Sequence, residues 1–155
     1  MKMDWLEGLR KMQGNYSGGG KNHEGETFTS SFRLEVCEGG KGIAFTYRAE
    51  VGKLIVHDEK SILGRDDEGR LSIFALTSNT PAVMKHSFAE SSSRRDGDAW
   101  SLAFEFGDFE SRNGFRERLV LRFHTVQGHF GYDYHWGMPG KDFGLRSSSE
   151  MKRDL

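Results

Sequence analysis

The sequence predicts an all-β protein: an antiparallel meander of about eight to ten strands curled into a barrel, with one short N-terminal helix. Three observations carry this. Apolar and polar residues alternate with period two through most of the chain. Glycine is abundant, with 20 residues against 2 prolines, which suits many tight turns between strands. Aromatic residues make up 12% of a chain that is only 35% hydrophobic, so large rings need a common interior. The 155 residues suffice for one core, and no repeat, linker or low-complexity tract divides 1–155, which read as a single domain.

The first twelve residues hold the helix signal: Asp4 can cap it, Trp5, Leu6, Leu9 and Met12 recur at helical spacing, and Gly14 ends it. Gly18-Gly19-Gly20-Lys21 has the composition of a phosphate loop without its spacing or following helix, and reads as a plain loop. From about Glu26 to Cys37, Phe28, Ser30, Phe32, Leu34 and Val36 share one strand face. After the Gly39-Gly40-Lys41-Gly42 turn, Ile43, Phe45, Tyr47, Ala49 and Val51 do the same. Gly52-Lys53 leads into a strand near Leu54 to Leu63 whose faces cannot be assigned, and the register of Leu71 to Ser78 is ambiguous. Met84, His86 and Phe88 make a weaker strand, followed by a loop from Ser91 to Asp98.

The alternation then returns strongly. Trp100, Leu102, Phe104 and Phe106 share a face, as do Phe115, Glu117, Leu119, Leu121 and Phe123. Arg112, Arg116, Arg118 and Arg122 read as a solvated outer stripe, paired with Glu105 and Glu110. Phe130, Tyr132, Tyr134 and Trp136 face opposite to His129, Asp133 and His135, and a last strand runs from about Phe143 to Met151. Strands apolar on one face must bury that face. Curling the sheet does so and removes its exposed edges, and the short connections favour this over a sandwich.

With 22 basic and 23 acidic residues and a net charge of -1, nothing points to nucleic acid or an anionic membrane as partner. No apolar run approaches the roughly 18 residues of a membrane span. The start MKMDWLEGLRKM carries charges where a signal peptide is apolar, and the single Cys37 has no internal partner, so a cytoplasmic protein is expected. The six histidines (His23, His57, His86, His124, His129, His135) show no metal-ligand spacing, and no nucleophile elbow or phosphate loop occurs.

Function is therefore expected in the interior, as binding of a small apolar or amphipathic molecule by Phe45, Tyr47, His86, Trp100, Phe104, Glu117, Phe123, Tyr132 and Tyr134. Glu117 or His86 would fix the polar end of the ligand. An inward carboxylate needs a partner, or a place near the rim where water or an arginine meets it. The alternatives are an enzyme or haem protein using the same cavity, and a filled barrel serving as a scaffold or self-associating subunit through an outer face.

The helix followed by Gly14-Asn15-Tyr16-Ser17-Gly18 and an all-antiparallel meander resembles the calycins: lipocalins, fatty-acid-binding proteins and the nitrobindin-like haem proteins. Tyr16 stands where the family's G-x-W motif has tryptophan, and the likeness is greatest to uncharacterised single-domain bacterial members. The resemblance implies a basic side chain, Arg146 or Arg153, packed across Tyr16. Its nitrobindin-like branch implies a haem with a histidine ligand late in the barrel. His135 is the nearest positional match, followed by His129 and His124, although alternation turns all three outward.

Overall fold

Strands that alternate in sequence pair with their chain neighbours in space. The computed structural model describes residues 4–155: a helix α1 (Trp5–Arg10), then β1 (Gly14–Asn22), β2 (Thr27–Val36), β3 (Gly42–Val51), β4 (Leu54–Arg65), β5 (Leu71–Thr77), β6 (Met84–Phe88), β7 (Arg94–Asp96), β8 (Ala99–Phe106), β9 (Arg116–His124), β10 (His129–Gly137) and β11 (Gly144–Arg153). All pairings are antiparallel. β1 lies between β2 and β11, and β6 pairs with β8 through Ser87–Glu105 and Phe88–Phe104. The result is a closed ten-stranded barrel, with the 3-residue β7 laid along the start of β8.

The helix is capped as expected, the Leu6 amide donating to Asp4 Oδ1 at 3.0 Å. It ends sooner than predicted, at Arg10, and the first three residues of the predicted span lie outside the described residues. α1 seals one end of the barrel. Leu9 and Met12 are fully buried, and Trp5 packs against Phe88 and Trp100 with ring centres 5.3 and 6.2 Å apart. Gly8 makes this closure possible, because a Cβ there would lie 2.6 Å from Trp100 Cε2. Arg153, not Arg146, crosses Tyr16: its guanidinium lies 5.4 Å from the ring centre and donates to the hydroxyl at 2.8 Å, while the hydroxyl donates to the Met12 carbonyl.

Three expectations are corrected. Gly18, Gly19 and Gly20 belong to β1, not to a loop. A Cβ at these positions would strike the carbonyl oxygens of Glu150, Phe28 and Ser148, so glycine is here a condition of strand packing. The stretch Ser91–Asp98 holds β7 and the end of a 3-10 turn, Glu90–Ser92. Arg116 is not on a solvated face: it is buried and donates to the carbonyls of Met138 (3.5 Å) and Lys141 (2.7 Å), tying down the β10–β11 loop. The rest of the stripe is external. Arg118 pairs with Glu105 at 2.6 Å, and Arg122 pairs with Asp133 and Glu150 in place of Glu110.

Between the sealed end and the middle, rings fill the barrel. Phe32 stacks on Phe130 and Phe45 (4.3 and 5.1 Å between centres), and Phe123 stacks on Trp100 and Phe130 (both 5.8 Å). Each such side chain contributes about 2–3 kcal/mol by leaving water. This half of the barrel is packed shut, and the other half is not.

Candidate functional site

The open end is formed by the far ends of the strands and holds a cavity of about 360 Å³. Phe28, Tyr47, Ala49, Val56 and Phe115 form its walls, and His57, Tyr134 and Glu117 bring polar groups to it. His23, Asn79, Trp136, Met138 and Arg146 ring the mouth. Arg146 lies over Trp136, 4.6 Å from the ring centre, and its guanidinium donates to the carbonyls of Trp136 (3.0 Å) and Asp142 (2.7 Å). Among the described residues, no group of three or more His, Cys, Asp or Glu is placed to hold a metal ion.

Below the cavity lies a buried polar cluster centred on Glu59. Its Oε2 accepts from Ser61 (2.6 Å) and Tyr132 (2.9 Å), and its Oε1 accepts from the Tyr134 hydroxyl and faces His57 Nε2 at 3.1 Å. These four partners match the acceptor capacity of one carboxylate. Burial alone would raise the Glu59 pKa. The hydrogen bond from His57, with the hydroxyls of Ser61 and Tyr134, outweighs that and holds it below the ordinary value. Burial and the Glu59 charge push both Tyr132 and Tyr134 well above theirs, so both phenols keep their protons.

Asn79 fixes the proton position on His57. Its side-chain nitrogen donates to the Val56 carbonyl at 3.1 Å, and the same nitrogen faces His57 Nδ1 at 2.9 Å. Nδ1 therefore accepts, and the ring carries its proton on Nε2, toward Glu59 and the Tyr134 oxygen. A second buried histidine–carboxylate pair stands across the barrel. His86 Nε2 donates to Glu117 Oε1 at 2.8 Å, while His86 Nδ1 has no hydrogen-bond partner.

Of the residues predicted to hold a ligand, Tyr47, Glu117 and Tyr134 line the cavity. His86 and Tyr132 stand behind it, positioning Glu117 and Glu59. Phe45, Trp100, Phe104 and Phe123 lie in the packed core, away from the cavity lining. Glu117 combines both expectations made for it: it sits one residue inside the start of β9, yet it is only 6% exposed, and its partner is a histidine rather than an arginine. His135 is on the outer face, its ring stacked 6.1 Å from Phe143, so the position the resemblance offers as an iron ligand does not fit that role.

The sequence reading missed His57, Glu59 and Asn79. β4 pairs with β3 through a bulge, so that Ala49 opposes His57 and Glu50 opposes Ile55. Counting back from the Gly52-Lys53 turn without this extra residue turns Val56, Asp58 and Lys60 inward instead of His57, Glu59 and Ser61. The signal that could have found them was Leu63, which shares their parity and opposes Ile43 on the inward face of β3.

No known family pattern matches the chain, and no curated protein matches it by sequence. The crystal structure of Rv2717c from M. tuberculosis is similar in fold, with a TM-score of 0.75 over 99% of this chain and 100% of that one at 10% sequence identity. At that identity the likeness concerns the barrel alone.

Proposed function

We propose that the protein is a calycin-like binding module of the cytoplasm that takes a small amphipathic molecule into the open end of its barrel. The observation that carries this reading is the contrast between the two halves: one packed with stacked rings and sealed by α1, the other holding about 360 Å³ between aromatic walls and a polar floor. That volume lies toward the lower end of the range for small-molecule sites, roughly 300–1,000 Å³. An apolar body would rest against Phe28, Tyr47 and Trp136, where burial supplies most of the affinity. A polar group would meet Tyr134 or Glu117 and set the orientation.

The test is a solvatochromic dye titrated into the wild type and into Ala49→Phe, which places a ring in the cavity from a buried wall position. Dye affinity is expected to fall by about tenfold or more while the melting temperature stays within a few degrees. Equal binding by both proteins would place the dye elsewhere. No dye binding, together with no retained small molecule in native mass spectra of fresh protein, would end the proposal.

A further inference from the structure

Among the described residues two glutamates, Glu59 and Glu117, are buried, and they differ in one respect. Glu59 is saturated, with four partners on its two oxygens. Glu117 is half satisfied: Oε1 accepts from His86, and among the described residues Oε2 has no donor. With 94% of its surface covered (6% exposed), Glu117 turns a free acceptor into the cavity it lines. That oxygen opens to the cavity, where water or a bound group must supply its donor, and a cationic donor makes the stronger hydrogen bond.

The polar groups on the Glu59 side of the cavity point the same way. The Tyr134 hydroxyl spends its proton on Glu59, so it offers an incoming molecule only a lone pair. His57 Nδ1 accepts from Asn79, and its Nε2 proton is turned toward Glu59. The guanidinium that lines the cavity among the described residues, Arg146, is held at the mouth by two carbonyls and the Trp136 ring. Tyr134 and His57 thus add acceptors beside the Glu117 carboxylate. Phe28, Tyr47, Phe115, Tyr134 and Trp136 surround the cavity with ring faces and edges of the kind that hold organic cations.

We infer that the ligand carries a protonated amine, or a similar cationic donor on an aromatic or aliphatic body, and that its nitrogen sits against Glu117 Oε2. This rests on the proposed binding function and names the chemical class that the site selects. His86 is a positioning residue: completely buried, it holds Glu117 by one oxygen and leaves the other free.

Three probes of one shape decide the matter: benzylammonium, benzyl alcohol and phenylacetate, titrated by calorimetry at neutral pH. The expected order is ammonium first, by about tenfold or more over the alcohol, with the carboxylate weakest. Glu117→Gln keeps the shape and removes the charge, so it should abolish most of the ammonium preference over the alcohol. If the alcohol or the carboxylate binds as well as the ammonium, this inference fails and the binding function stands. Should none of the three bind, while the dye also fails, both fall. The order measured on the wild type is decisive even if Glu117→Gln does not fold.

Discussion

Glu59 shows what a single residue does here. Its four partners come from β4 and β10, which lie apart in the ring, so one carboxylate joins two walls of the barrel. Because the folded state holds this carboxyl below its ordinary value of 4.5, the unfolded chain takes up the proton first as the pH falls. Its contribution to stability is therefore complete above about pH 5 and is lost as the pH drops through the lowered folded-state value. Glu59→Gln should melt lower at neutral pH, by roughly 3 kcal/mol of stability, and should show a flatter acid limb than the wild type. Thermal melts across about pH 3 to 7 check this; superimposable curves would remove Glu59 from its central role. Tyr16→Phe gives a smaller effect, about 1–2 kcal/mol, because the ring and its cation contact remain while two hydrogen bonds go. Residues were legible in proportion to how cleanly their strand alternates. Glu117 stood out because apolar neighbours on its own face framed it, whereas Glu59 lay in a strand with apolar residues at both parities.

At the scale of elements, β1 and β4 were the hardest to read, for opposite reasons. In β1 the glycines conceal a strand whose neighbours come too close for side chains. In β4 a bulge shifts the register by one residue and exchanges the two faces. Gly20→Ala should cost more than about 3 kcal/mol or prevent folding, since its Cβ meets the Ser148 carbonyl oxygen on β11. Gly25→Ala, in the β1–β2 turn, meets no neighbouring atom within 4 Å and should cost only about 1 kcal/mol through its φ of +80°. Denaturant unfolding of the two variants separates collision from backbone conformation, and equal losses would contradict it.

Over the whole molecule, alternation foretold the closed barrel because it says which face each residue takes. It says nothing of depth along the axis. Trp100, Phe104 and Phe123 were correctly turned inward and yet lie in the packed half, because period two carries no information about which end a helix will seal. The position of the tryptophans gives a test of this polarity. Trp136 is at the mouth, while Trp5 and Trp100 are at the sealed end, so a fluorescence change on binding should vanish in Trp136→Phe and persist in Trp5→Phe. The reverse pattern would mean that molecules enter at the helix.

For binding as proposed above, the seat of α1 on Trp100 would also have a kinetic side. A vessel stoppered at one end has the same door for arrival and departure. No second molecule can drive the first out by following it through, so exchange waits on spontaneous escape. A guest longer than the hollow leaves its tail in the solvent. Only its leading group is then read, and whatever is attached behind that group, even a much larger body, passes unexamined.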